Sequence, residues 1–325
     1  MTPRPPSAVV IAPPTASREI TGSIGNTPMV ELPRLAPHAG VRLLAKLEGA
    51  NPTGSVKDRV AWAMLSDARA SGALRPAQTI LEPSSGNTGI SLAMLGARLG
   101  HPVRIVMPDN TMRELEQLLR LYGAEIVYSP GSEGSNGAIR MAEELLAADA
   151  SLFMPFQYGN PANPGVHEAS TGPEVLAQAG DVDAFVAGLG TGGTLTGVGR
   201  FLKRARPGVR VVAAEPMPGE LVQGLRSLDE GFVPSVFDPS VLDDRLLVTG
   251  RDAIIGLRQL LREEGIFGGL SSGAAISVAL AVARQMTRGT VVVLLADGGW
   301  KYLSAELWTR DLDDISDELE GSLLW

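Results

Sequence analysis

Short runs of consecutive apolar, largely β-branched residues alternate along this chain with longer stretches in which apolar positions recur every three or four residues. The first pattern predicts buried strands and the second amphipathic helices. Strands are expected at Val41 to Leu47, Thr79 to Glu82, Val103 to Met107, Ile126 to Tyr128, Ala184 to Ala187, Val209 to Ala214 and Val291 to Leu295. The helical period covers Asp58 to Ser71, Thr88 to Gly100, Thr111 to Leu121, Asn136 to Ala148, Thr194 to Arg204, Arg251 to Glu263 and Ala274 to Gln285. Regular strand–helix alternation predicts an α/β protein built on parallel sheets. The texture breaks at Phe153 to Pro164, which is turn-rich and carries three prolines. That break reads as a return path between two α/β lobes.

Composition narrows the chemistry. The 325 residues include no cysteine, which excludes disulfides, thiolate nucleophiles and Fe–S clusters, and only 3 histidines, so no metal site is expected. A net charge of −8 argues against a protein that grips nucleic-acid phosphates. No apolar run approaches a bilayer span, and the first 18 residues are interrupted by Pro13 and Pro14, unlike a signal peptide. Residues 1–18 are read as a flexible extension, and the protein as cytoplasmic with no membrane association. Residues 311–325 carry six acids and no bases and end in Leu-Leu-Trp.

Polar, glycine-rich loops sit where strands pass into helices. Gly190, Thr191, Gly192, Gly193 and Thr194 would let backbone amides converge at a helix start, a natural phosphate cradle; a simple tight turn is the bland alternative. Gly188, Gly190 and Gly193 also fit a weak dinucleotide fingerprint, with Glu215 as its acid. Ser84, Ser85, Asn87 and Thr88 offer hydroxyls and an amide to a carboxylate or another small anion, or merely cap the next helix. Lys57 follows a Pro-Thr-Gly turn at a helix opening, where the dipole favours its neutral amine; a neutral amine can form a Schiff base, whereas a lone lysine is more often solvated. Gly268 to Gly273 is one more such turn.

Taken together, ITGSIGNTPMVEL, LEGANPTGSVKDR, EPSSGNTGISLAM, QYGNPAN, GLGTGGTLTG and GGLSSGA, spread over residues 20–310, resemble the cysteine synthase and cystathionine β-synthase family of fold-type II pyridoxal-phosphate (PLP) enzymes. The resemblance implies a tryptophan synthase β-like fold with the cofactor between two lobes. It places a larger PLP-binding lobe at 19–50 plus 160–310 and a smaller mobile lobe at 51–159. It implies that Lys57 holds PLP and moves the α-proton, that Asn87 bonds the ring oxygen, and that Gly190 through Thr194 cradle the phosphate. Ser271 faces the pyridine nitrogen, with Ser272 as the neighbouring choice. Ser84, Ser85, Thr88 and Gln157 receive the substrate carboxylate. The segments around Glu215 to Pro234 and Ala296 to Leu303, with the acidic tail, are similar to the CysM-type branch that uses O-phosphoserine. There Arg226 selects the phosphate leaving group, the tail covers the active site, and sulfur comes from a thiocarboxylated ubiquitin-like carrier protein. Cysteine biosynthesis by β-replacement in a homodimer is therefore expected. O-acetylserine sulfhydrylase, cystathionine β-synthase and a non-catalytic amino-acid-binding regulator are the alternatives.

Overall fold

The computed structural model describes residues 19–220, 222–230 and 232–315. The expected extension at 1–18 and the tail from 316 to 325 lie outside the described residues. The strands are β1 (Met29–Glu31), β2 (Val41–Leu47), β3 (Thr79–Pro83), β4 (Val103–Pro108), β5 (Glu125–Ser129), β6 (Leu152–Phe153), β7 (Ala184–Gly188), β8 (Arg210–Pro216), β9 (Asp244–Val248) and β10 (Gly289–Leu295). The helices are α1 (Lys57–Ala70), α2 (Asn87–Leu99), α3 (Arg113–Leu121), α4 (Gly134–Ala148), α5 (Ala162–Val166), α6 (Gly172–Ala179), α7 (Gly193–Ala205), α8 (Gly250–Glu264) and α9 (Leu270–Gln285).

Two sheets form, one in each lobe of an α/β architecture. The larger is ordered β1-β2-β10-β7-β8-β9, with β1 antiparallel to β2 and every other pair parallel. The smaller is ordered β5-β4-β3-β6 and is parallel throughout. Central β10 shows why its sequence is an unbroken apolar run. Val291, Val293 and Leu295 pack with Leu257 and Leu260 of α8 and Ile276 of α9, while Val292 and Leu294 pack with Val175 of α6 and Leu195 and Val198 of α7. Helices cover both faces of Val291 to Leu295, so none of these five positions is polar. The smaller sheet repeats the scheme. Ile80 and Ile105 face α2 and α3, and Leu81 and Val106 face α4. One apolar cluster includes residues of both sheets, so the lobes share a core.

Several elements escape the sequence pattern. Strands β1 and β6 are too short to show a period, and β9 alternates half-buried and exposed positions before the buried Val248. The Pro-rich segment after Phe153 contains α5, which runs on through a π-helical turn, His167–Thr171, into α6. Helix α3 starts at Arg113, later than expected, because the Thr111 hydroxyl instead donates to the Pro108 carbonyl at 2.7 Å. Among the described residues, no helix is long and apolar enough to cross a membrane. The carboxyl ends of β2, β3, β6, β7 and β10 are each followed by a polar loop, the usual place for a ligand in a parallel sheet.

Candidate active site

Those loops meet in one cleft. Its walls include Lys57, Ser84, Ser85, Asn87, Thr88, Gln157, Gly190, Thr191 and Arg226, residues far apart in sequence but singled out there together. Gly192, Gly193 and Thr194 continue the Gly190–Thr191 loop into the start of α7. Ser271 opens α9 and lies against Gly224 of the wall: a Cβ on Gly224 would stand 3.8 Å from its Oγ. Neighbouring Ser272 is fully buried and its hydroxyl has no partner among the described residues.

Lys57 is the first residue of α1. The loop before it is fixed from two sides. The Asp58 carboxylate accepts the Thr53 N–H at 2.7 Å and the hydroxyls of Thr53 and Ser91. The Val56 N–H donates to the Ala296 carbonyl at 2.8 Å, beyond the end of β10. Deeper still, Arg59 bridges Glu48 at 2.8 Å and Glu174 at 2.7 Å while almost wholly buried. Burial lowers the Lys57 pKa to about 8, with the Asp297 carboxylate opposing. The sequence suggested the helix dipole for this effect; desolvation is the dominant cause.

Ser84 plays both parts that the sequence allowed. It lines the cleft, and its Oγ accepts the N–H groups of Gly86 and Gly89 at 3.3 and 3.0 Å, capping the start of α2. The Thr88 hydroxyl donates to Gln157 Oε1 at 2.7 Å, so the two groups expected to share a carboxylate are adjacent. Glu82 at the end of β3 accepts the Phe156 and Gln157 N–H groups at 2.7 and 2.8 Å and holds that turn in place.

The Gly190–Thr194 loop has the features of an anion cradle. Among the described residues, no acceptor takes the N–H of Gly190, Thr191 or Gly192. Gly192 has φ +79°, and a Cβ on Gly193 would stand 2.0 Å from Asn163 Oδ1, so neither position tolerates a side chain. Thr194 meets the buried His167 at 3.2 Å; desolvation keeps that imidazole neutral, so the cradle's charge comes from backbone dipoles. Glu215 is not free to bind a ribose. It is fully buried, accepts the Leu228 N–H at 2.7 Å and pairs with Arg245 at 3.1 Å, anchoring the segment that carries Arg226.

Sequence reasoning passed over several supporting residues. Asn163 donates to the Gln157 carbonyl at 2.8 Å and to Thr191 Oγ1 at 3.0 Å, tying the carboxylate loop to the cradle. It stands inside QYGNPAN, but only the folded chain shows what it joins. Asp297, Lys301 and Tyr302 surround Asn87 from behind. The sequence used their segment only as a mark of likeness.

An amine of lowered pKa thus shares a cleft with helix-start amides that have no acceptor among the described residues, and with a hydroxyl and amide group suited to a carboxylate. This donor set fits PLP, an aldehyde that carries a phosphate. Residues 20–297 match the family of pyridoxal-phosphate-dependent enzymes. The chain belongs to that family. A cysteine synthase of Staphylococcus aureus is 43% identical over 302 residues, covering 90% of this chain and 97% of its own. Among solved structures, an O-ureido-L-serine synthase matches with a TM-score of 0.85 at 42% identity, covering 90% of this chain and 95% of that one. A cysteine synthase of Entamoeba histolytica matches with a TM-score of 0.86 at 32% identity, covering 97% and 99%. This PLP enzyme is accordingly of fold type II, in the cysteine synthase superfamily, and PLP is its cofactor.

Proposed function

We propose that this PLP enzyme makes L-cysteine by β-replacement on O-phospho-L-serine, with sulfide or a thiocarboxylated sulfur-carrier protein as the sulfur source. The observation that carries the choice of leaving group is Arg226. Its guanidinium lines the cleft with Lys57, 5.5 Å from the Tyr158 ring centroid and 5.0 Å from that of Phe232. It donates to Asn136 Oδ1 at 2.9 Å and makes no ion pair with a carboxylate among the described residues. A cation held by aromatic faces and a neutral amide keeps its charge for a ligand, and the guanidinium fork suits phosphate.

Bound PLP supplies an electron sink for the substrate's α-carbon. The chain's residues do the rest. Lys57 Nζ, with its pKa near 8, accepts the α-proton and holds it close to neutral pH. The amides of Gly190 through Thr194 would anchor the cofactor phosphate, Asn87 would orient the ring, and Ser271 would meet the ring nitrogen. Ser84, Ser85, Thr88 and Gln157 hold the substrate carboxylate. Arg226 draws the departing phosphate from Cβ. The catalytic unit is a homodimer whose smaller lobe, 51–159, moves against the larger.

Turnover of O-phosphoserine and O-acetylserine by wild type and Arg226→Ala tests this. The variant should lose about 100-fold in kcat/KM for the phosphate ester, the worth of a charge-assisted bidentate contact, and only a few-fold for the acetate ester. Equal losses on both would reject the phosphate reading and favour O-acetylserine.

A further inference from the structure

Behind the cleft, the chain leaves β10 through Asp297 and enters a short turn, Gly299–Ala305, that buries Lys301 and Tyr302. These three side chains close around the Asn87 amide. Lys301 Nζ donates to Asn87 Oδ1 and, at 3.4 Å, to the Gly54 carbonyl. Asn87 Nδ2 donates to Asp297 Oδ2 at 2.8 Å, and the Tyr302 hydroxyl donates to the same oxygen.

We infer that Lys301 and Asp297 are positioning residues that fix which end of the Asn87 amide serves the cofactor, so that Asn87 offers PLP a hydrogen-bond donor and never its carbonyl. The inference rests on the assignment of this cleft to PLP. An amide's oxygen and nitrogen ends are nearly the same size, and in most settings either can face a given side. Here the neighbours remove the choice. An ammonium carries only donors and an ionised carboxylate only acceptors. A reversed amide would set its NH2 against Lys301 and its carbonyl against Asp297, losing both bonds and adding two repulsions in a buried place. In the observed sense, Oδ1 is committed to Lys301 and one hydrogen of Nδ2 to Asp297. The second hydrogen of Nδ2 lies at the cleft wall, where the Tyr302 oxygen is also within its reach and a ligand acceptor would compete for it. That hydrogen matches an anionic ring oxygen. Burial lowers the Lys301 pKa, and the Asp297 and Asp58 carboxyl groups oppose that fall.

The apoprotein's affinity for PLP, measured by equilibrium dialysis, tests this on wild type, Asn87→Ala, Asn87→Asp, Lys301→Gln and the Lys301→Gln/Asn87→Ala double variant. Asn87→Ala should weaken binding roughly 10- to 100-fold, the worth of one hydrogen bond to a charged acceptor. Lys301→Gln, whose amide tolerates either orientation of Asn87, should weaken it by several-fold in the wild-type background and not at all in the Asn87→Ala background. Asn87→Asp keeps Lys301 paired but offers the cofactor only acceptors, so it should bind PLP less well than Asn87→Ala. The inference is overturned if Lys301→Gln costs the same factor in both backgrounds, as a general loss of stability would, or if Asn87→Asp binds PLP as wild type does. Should Lys301→Gln not fold, the comparison of Asn87→Asp with Asn87→Ala decides alone. A wild-type apoprotein that captures no PLP overturns the cofactor assignment, and this inference with it.

Discussion

Glu82 is buried to zero exposure at the end of β3, and its two oxygens accept the N–H groups of Phe156 and Gln157. Those bonds favour the carboxylate, but burial outweighs them and pushes its pKa from the ordinary 4.5 to about 8. The consequence for stability has a definite sign. Between these two values the folded chain holds a proton that the unfolded chain has released. The contribution is therefore complete below pH 4.5 and is lost as pH rises through about 8. A displacement of that size corresponds to roughly 5 kcal/mol at most over the whole window, at about 1.4 kcal/mol per pH unit. Glu82→Gln removes the titration. It also turns an NH2 toward one of the two backbone N–H groups, which costs about 1–3 kcal/mol for the donor left unpaired. Urea unfolding of wild type and variant side by side should show the variant less stable at pH 5, with the gap narrowing or reversing by pH 8. Other buried acids titrate in both proteins, so only the difference reports Glu82. The Phe156–Gln157 turn includes a residue at φ +57°, an uncommon conformation that this anchor helps to hold. Loosening it should raise KM for the amino-acid substrate more than it lowers kcat, because Gln157 and Thr88 lose their register. Parallel stability curves across this pH range would refute the argument.

Two further outcomes are expected. The rate at which the apoprotein captures PLP should rise with pH and level off above about 8, because only the neutral Lys57 amine attacks the aldehyde; the measurement is stopped-flow absorbance, and a flat profile from pH 6 to 9 would contradict the lowered pKa. Gly193→Ala should abolish stable PLP binding and lower the melting temperature, because the new methyl would collide with Asn163, which joins Gln157 to Thr191; fluorescence titration with PLP checks the first and calorimetry the second.

What the sequence reveals about this site is what local geometry imposes. A loop that must bind an anion between a strand and a helix needs glycines and small hydroxyls at fixed offsets, so Gly190 to Thr194 and Ser84 to Thr88 are visible as patterns before any fold is known. Strands β7 and β10 are visible for a related reason, since burial on both faces demands apolar runs. Glu82 is not visible. In sequence it is one acid ending a strand, and its function appears only when β6 aligns beside β3 and delivers the Phe156–Gln157 turn to it. Lys301 reads as an ordinary surface lysine after two glycines and a tryptophan, yet it is fully buried beneath Asn87. Glu215 misleads in the opposite sense, since its spacing from the glycine loop suggests a ligand contact while its partners are Leu228 and Arg245.

These cases share a physical cause. Groups that touch a ligand must leave a donor, an acceptor or an open backbone on the cleft side, and that requirement selects residue types recognisable one at a time. The groups that hold them in place satisfy one another inside the protein, and any residue with the right donor or acceptor count will serve. The Lys301–Asn87–Asp297 chain illustrates the division: the exposed member is an asparagine in a telling motif, while its orientation depends on two buried charges 210 and 214 residues further along the chain. Because those side chains come from the segment after β10, and the Lys57 loop bonds to the same segment at Ala296 and Gly298, the amine and the amide of the cleft are both referenced to one strand end. Movement of β10 relative to either lobe would displace both contacts together, which makes the central strand of the larger sheet the element on which the site's alignment depends.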